Sequence, residues 1–358
     1  MSSPYEVITA SAGDVRTALA RLWANSFEVL RGGLAEKKVE RFYLHNPAGS
    51  GPVFLLRDTR NATDVGVQAL ILRRFYAAEQ PLFAGTMADY AVDAAHRSLG
   101  PALQLLKASI ASSKTTLAFV YGLPNRKAEP ILRRAGLEPV QQLTRYAAPL
   151  KSRPYLAAKL PGPLLTVICP LADLALSALD WLRELRLGGR LHWRDAQGQG
   201  AQIDAIWRES SRDGLLRSDR SAQVLFWRYG LSDTADTAAT ASSTNGPWRI
   251  ELASVGAKGK AFGYVAWGMR DGIAVVGDFF CEKPHEQSAH LLASFRRRAR
   301  AFGAASISLE YCGSPTVAQG LAAAGFVPRE SCPVFAVIHQ GLPSADNWYM
   351  TAYDRDTE

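Results

Sequence analysis

The chain has 358 residues, 47% of them hydrophobic and 21% charged, enough for two domains that each bury a core and too polar for an integral membrane bundle. Its formal net charge of +8 favours anionic partners as a class, without choosing among nucleotides, nucleic acid and acidic surfaces. Cys169, Cys281, Cys312 and Cys332 show no CxxC spacing and no adjacent histidine, so no metal site is expected and the cysteines read as free thiols.

The opening MSSPYEVITA has no charged start followed by an apolar run. No signal peptide is expected, and the expected location is cytoplasmic. Residues Asp14 to Leu44 read as helical, with Leu19, Leu22, Trp23, Phe27 and Leu30 at helical spacing and Gly32-Gly33 breaking the run. Val53 to Arg57 and Gly66 to Phe75 read as strands joined by a polar turn. From Thr86 to Ala111 the apolar period changes. Met87, Tyr90 and Val92 suit a strand, whereas Leu99, Leu103, Leu106 and Ile110 suit a helix. A short strand, Leu117 to Tyr121, and a strand pair near Pro139 to Pro149 would close a first domain.

Residues 151–200 read as a helical connection, in which Leu174, Leu179, Leu182 and Leu185 line one face. Its most apolar part, Leu164 to Leu182, contains Pro170, Asp173 and Asp180, so a buried or amphipathic helix is expected and no membrane span. From Ala201 the first half begins again. At a constant offset of 189, Asp89 aligns with Asp278, His96 with His285, Leu103 with Leu292, Gly136 with Gly325 and Pro139 with Pro328. The Ala-, Thr- and Ser-rich stretch Thr234 to Gly246 reads as a mobile loop inside this second copy.

The junction in the first copy is Arg97-Ser-Leu-Gly100-Pro-Ala102. A helix starting there leaves its first N–H groups unpaired and points its positive end at the loop, a seat for phosphate. Gly100 permits close approach to the backbone, Ala102 keeps the first turn slim and Arg97 adds a permanent charge. In the second copy the matching residues are Glu286, Ala289 and Leu291, which would repel or crowd an anion.

The (Arg or Gln)xxGx(Gly or Ala) pattern after a strand resembles the acyl-CoA loop of the Gcn5-related N-acetyltransferases, the GNAT superfamily. Downstream, Asn125-Arg-Lys-Ala128 through Ile131-Leu132 to Ala135-Gly136-Leu137 is similar to the family's NxxAxxLYxxxGF ending. The resemblance extends over roughly residues 14 to 149 and 201 to 340. It implies an α/β (α+β) chain of two tandem GNAT-like domains, each a mixed twisted sheet flanked by helices. The implied boundaries are 1–150 for an acyl-CoA-binding domain, 151–200 for the connection, 201–345 for a degenerate domain and 346–358 for a tail.

The resemblance further implies an acetyl-CoA or other acyl-CoA cofactor bound by Ala91, Val92, Arg97, Ser98, Leu99, Gly100, Ala102 and Asn125, with a thioester lying between splayed parallel strands. Asn125 could equally shape the turn into the next helix. The family pattern carries a tyrosine, often the acid for the departing thiolate, where this chain has Leu132. Tyr121 is the candidate replacement and Asp89 the candidate base, while the persistence of Asp278 in the second copy argues for a structural aspartate. Pro101 removes one N–H from the cradle.

The ending Trp348, Thr351, Asp354, Asp356 looks like the WxxTxxDxD tail of some tandem GNAT-like proteins that accompany polysaccharide biosynthesis. It directs attention to an amine-bearing acceptor such as an amino sugar or sugar nucleotide, and not to DNA. If the tail folded over the first domain its acids could meet that amine; otherwise it is a docked end with solvated acids. Two further readings stand beside this one. A Fem-type aminoacyl-tRNA-dependent ligase also pairs two such domains, but scattered arginines argue against an RNA surface. A non-catalytic CoA-binding or scaffold protein is consistent with the missing tyrosine.

Overall fold

A computed structural model describes residues 4–77, 80–210, 214–232 and 248–356. The stretch Thr234 to Gly246 lies outside the described residues. The chain divides into two units: one comprises residues 1–142, 332–342 and 355–358, the other 143–331 and 343–354.

In the first unit the strands are β1 (Tyr5–Ser11), β2 (Pro52–Asp58), β3 (Thr63–Ala77), β4 (Gln80–Val92) and β5 (Phe119–Gly122). They pair antiparallel from β1 to β4, after which β4 and β5 run parallel. Parallel neighbours need a crossover. Helix α3 (Leu99–Ser113) supplies it, burying Leu105, Leu106 and Ile110 against Leu70, Val120 and Phe335. Helix α4 (Glu129–Ala135) ends at Gly136, whose φ of +101° suits a left-handed C-cap.

The expected N-terminal helical run comes in pieces. Helix α1 (Arg16–Ser26) buries Leu19, Leu22 and Trp23; Gly32 and Gly33 break the chain at positive φ; α2 (Leu34–Lys38) leads into a π-helical turn, Val39–Leu44. The strand pair expected near residue 140 is one strand, β6 (Glu138–Pro149), whose Thr144 to Pro149 pair with β12 (Ser306–Gly313) in the second unit. Conversely β13 (Val327–Ile338) gives Phe335 to Ile338 to β5 in the first unit. Each unit therefore takes its closing antiparallel strand from the far side of the sequence boundary at 150.

The second unit also contains α5 (Arg153–Leu156), α6 (Gly162–Arg186), β7 (Leu191–Asp195), α7 (Gly200–Glu209), β8 (Leu216–Ser218) and α8 (Ala222–Tyr229). Then come β9 (Arg249–Val255), β10 (Ala261–Arg270), β11 (Ile273–Cys281), α9 (Pro284–Ala301), α10 (Pro315–Ala323) and β14 (Trp348–Thr351). Strands β7, β9, β10 and β11 are antiparallel, β11 and β12 parallel, and α9 is their crossover. The segment 151–200 is thus part of this unit, since β7 extends its sheet. Within α6 the leucines expected to line one face, Leu174, Leu179, Leu182 and Leu185, are exposed to solvent, and the buried positions are Cys169, Asp180 and Glu184.

The cysteines are free; Cys169, Cys281 and Cys312 are buried and Cys332 is half-buried.

Candidate active site

Strands β4 and β5 pair only at Ala84–Phe119, Gly85–Val120 and Thr86–Tyr121, whereas β4 continues to Val92. Past that point the β5-side edge of β4 has no β5 partner. A bulge bends β4 there: Val67 pairs with Ala91 and Ala69 with Ala88, so Asp89 and Tyr90 together face Gln68. Asp89 sits at φ +56°, a left-handed conformation that a non-glycine residue adopts at a cost.

Its surroundings hold it in place. The Trp23 indole donates to the Asp89 carbonyl at 2.9 Å, Lys38 Nζ to Oδ1 at 2.6 Å and the Tyr43 hydroxyl to Oδ2 at 2.7 Å. The Lys38 and Asp89 side chains are largely buried, which strengthens the pair relative to a surface one. Burial, and then the Asp89 carboxylate, push the Tyr43 phenol well above its ordinary range; Asp356 adds to this.

The loop after β4 is also tied down. The Asp93 N–H donates to the Val65 carbonyl on β3 at 2.8 Å, so the Val92 N–H, one residue back on an extended strand, points to the opposite edge. Arg97 Nε returns to the Val92 carbonyl at 2.7 Å, and His96 Nδ1 meets the Tyr5 hydroxyl at 3.0 Å. Ser98, extended at φ −121°, precedes the helix without a side-chain cap bond. Leu99 opens α3, Gly100 has nothing within 4 Å of where a Cβ would stand, and Ala102 is buried. Unpaired helical N–H groups, an exposed arginine and open space at Gly100 thus converge beside the splayed edge.

Tyr121 lies at the mouth of the splay, opposite Thr86, and is fully buried with Phe75 edge-on at 5.8 Å and Phe119 tilted at 5.7 Å. Arg73, buried on β3, donates to Thr86 Oγ1 at 3.2 Å and to the Arg355 carbonyl at 2.8 Å. Asn125 is further off along the chain. Its Oδ1 accepts from the Lys127 and Ala128 N–H groups at 3.0 Å each, the geometry of a turn former leading into α4. Leu132 packs in the core beneath α3.

Sequence reasoning missed Lys38, Tyr43 and Arg73 as neighbours of this place. An acid on an apolar strand requires partners. Periodicity cannot say which distant lysine or tyrosine supplies them.

The same elements in the second unit are arranged differently beyond the parallel pair. β11 and β12 pair from Ile273–Ser306 to Val276–Leu309, and β11 is again bulged, at Gly277. Where the first unit leaves an edge without a β5 partner, β14 enters here and pairs Tyr311–Thr351, Cys312–Met350 and Gly313–Tyr349. The Tyr349 hydroxyl donates to the Phe279 carbonyl, and Thr351 Oγ1 to Asp278 Oδ1 at 2.6 Å. Gly313, at φ +132°, is required by this contact: a Cβ there would stand 1.7 Å from the Trp348 carbonyl oxygen.

Asp278 is wholly buried, receiving Arg220 Nε at 2.9 Å, Arg220 Nη2 at 3.2 Å and the Tyr264 hydroxyl at 2.7 Å. Arg220 also donates to Asp354 at 3.1 Å, with the rings of Tyr349 and Tyr353 about it at 5.2 and 4.9 Å. Asp354 of the expected tail is therefore buried in the second unit; only residues 355–358 belong to the first. Helix α9 starts at Pro284, earlier in register than α3, and carries Glu286 in its first turn.

No model of a known protein family matches this chain, and no curated protein is similar to it in sequence. Solved structures are similar in fold. A conserved Enterococcus faecalis V583 protein of unknown function, described as a probable N-acyltransferase, superposes with a TM-score of 0.64 at 14% identity, over 94% of this chain and 72% of that one. A GCN5-related N-acetyltransferase from Anabaena variabilis gives 0.61 at 14% identity, over 94% and 73%. Saccharomyces cerevisiae N-myristoyltransferase with bound myristoyl-CoA gives 0.52 at 10% identity, over 96% and 85%. The chain has the mixed α/β fold of the Gcn5-related N-acetyltransferases.

Proposed function

We propose that the first unit is an acyl-CoA-dependent N-acyltransferase, using acetyl-CoA or another acyl-CoA, and that the second unit is a degenerate copy of the same domain that has lost the cofactor. The observation that carries the reading is the contrast in the splay: β4 parts from β5 beside the Arg97–Gly100 helix start, whereas β14 fills the equivalent gap between β11 and β12. The N-acetyltransferase and the myristoyl-CoA-bound N-myristoyltransferase among the structural neighbours support it.

In this reading the pyrophosphate rests on the first turn of α3 beside Arg97 and Gly100, with Ser98, Leu99 and Ala102 shaping the seat. Pantetheine lies along the edge formed by Ala91 and Val92. The Val92 N–H polarises the thioester carbonyl and stabilises the oxyanion that forms when a neutral amine attacks. Nitrogen gains the acyl carbon, sulfur leaves as thiolate, the amine loses a proton and the thiolate gains one. Tyr121, at the mouth of the splay, is the proposed acid. Both carboxylate oxygens of Asp89 already accept hydrogen bonds, so we assign it to holding the bulge rather than to the base expected from sequence.

The acceptor class is an amine-bearing small molecule, an amino sugar or sugar nucleotide, on the strength of the tail resemblance, and the site of action is the cytoplasm. A second reading, a CoA-binding protein without turnover, is favoured by Leu132 in the core at the position of the family's tyrosine.

Calorimetric titration with acetyl-CoA of the parent and of Arg97→Glu with Gly100→Leu tests the cofactor seat. Saturable binding that the variant loses supports it; absence of binding to the parent overturns it. Release of free CoA on adding amino-sugar acceptors separates the enzyme from the silent binder, and Tyr121→Phe should then slow turnover by about 10- to 100-fold with little change in acetyl-CoA binding.

A further inference from the structure

Helix α6 is oriented contrary to the usual rule for a helix on a soluble domain. It is long and apolar enough to cross a membrane by length and composition, yet only 6% of its most apolar stretch is buried. Its inward face is acidic. Asp180, 0% exposed, accepts from Arg296 Nε at 2.7 Å and Arg300 Nη2 at 2.6 Å. Glu184 accepts from Ser294 at 2.7 Å and Arg297 at 2.6 Å, and Asp173 accepts the Ser152 N–H at 2.6 Å. Charged bonds to α9 thus hold the helix down while its hydrocarbon faces water.

Six of the exposed residues form one stripe, with Leu164, Ile168, Leu179 and Leu182 exposed beside it. Val167, Leu171, Leu174, Ala178, Trp181 and Leu185 follow one another at steps of three or four, with Leu171 65%, Leu174 68% and Trp181 53% exposed. An apolar stripe of this length calls for a covering surface. Its borders say which kind. Lys151, Arg153 and Lys159 before the helix, and Arg186 and Arg190 at and after its end, are all exposed. The acids between residues 151 and 190 are Asp173, Asp180 and Glu184, the same three that are bound inward.

From this juxtaposition we propose that the α6 face docks on an anionic lipid surface, lying in the interface with its apolar stripe among the acyl chains and its cationic borders at the headgroups. Charge complementarity selects this occupant. A second copy of the chain would bring an apolar stripe of the right kind, but its borders are cationic too, with no outward acid in the segment to offset them. Spanning the bilayer is disfavoured by the same inward acids, because it would strip Asp180 and Glu184 of their arginines.

The test is flotation of the full chain with vesicles of phosphatidylcholine alone and with phosphatidylglycerol added. Two variants accompany it, Leu171→Glu with Leu185→Glu and Lys159→Glu with Arg186→Glu; all four side chains are solvent-exposed, and unchanged circular dichroism and denaturation midpoints will show that the variants remain folded. The parent should float with the phosphatidylglycerol vesicles at least about tenfold more than with the neutral ones, and each variant should lose that binding by about tenfold or more. No flotation of the parent, or equal flotation with both vesicles, overturns the proposal. So does a concentration-dependent doubling of mass that Leu171→Glu abolishes in a protein that does not float, since the face would then belong to a second copy. Acetyl-CoA binding has no part in the readout, so the result stands apart from the catalytic reading.

Discussion

The two units solve one problem in opposite ways. Each has an antiparallel run that gives way to a parallel pair, a crossover helix and a bulge with an aspartate at the splay. In the first unit Asp89 is partly reachable, held by Lys38 and Tyr43 around a left-handed backbone residue, and β4 runs on without β5. In the second, Asp278 is sealed under Arg220, Tyr264 and Thr351, and β14 completes the pairing of β12. The difference teaches that a shared residue type does not bring a shared cleft: an aspartate lies at the bulge in both units, and β14 decides whether the gap stays open.

The largest stability effect should come from Asp278→Ala. It leaves the buried Arg220 guanidinium with Asp354 as its remaining carboxylate, and breaking a buried pair in this way costs about 3–5 kcal/mol. Asp89→Ala should cost about 1–3 kcal/mol, since water can reach part of its site. Urea denaturation of the two variants ranks them, and the reverse order would break the comparison.

Gly313→Ala comes next. The added methyl meets the Trp348 carbonyl, so β14 has to shift, at about 1–3 kcal/mol. No second acetyl-CoA site should appear by calorimetry, because Glu286 still occupies the first turn of α9.

Alkaline titration offers a milder contrast. Burial holds the phenols of Tyr229, Tyr264, Tyr311 and Tyr349 in the second unit well above their ordinary value, whereas in the first Tyr43 is so held and Tyr90 is pushed up to about 12. A raised folded pKa contributes stability that is intact below the unfolded value of about 10 and is lost as pH rises past it. The second unit should therefore open first. Proteolysis at stepped alkaline pH, with cleavage sites read by mass spectrometry, would show cuts in residues 143–331 before those in 4–142.

The smallest stability change belongs to the pair Arg97→Glu and Gly100→Leu. Both positions are exposed and the variant gives up one hydrogen bond, from Arg97 to the Val92 carbonyl, so the unfolding free energy should fall by no more than about 1 kcal/mol while acetyl-CoA affinity falls by about 100-fold or more. A large loss of stability would mean that the loop is built for the fold and not for a ligand.

What the amino-acid sequence determined by itself is the local grammar. The period change after Val92 and the glycine at residue 100 located the strand, loop and helix of the first unit, and the 189-residue register pointed to the same order in the second, because hydrophobic spacing and turn chemistry act over a few residues. Gly136 and Gly325, aligned by that repeat, both take positive φ at helix ends. The aromatic and leucine positions of α1 likewise went inside as their spacing required.

Only the tertiary structure decided matters that depend on pairing between distant segments. The boundary at residue 150 dissolves because β6 and β13 hand their outer halves to the opposite unit, and no local signal tells a strand which edge will accept it. The tail's Asp354 found a buried arginine rather than solvent or an acceptor. Helix α6 shows the reason most plainly. Its leucines read as one face of a buried or amphipathic helix, but three acids bound to arginines and a backbone N–H turned the apolar side outward, a choice made by partners more than a hundred residues off in the case of Asp180 and Glu184.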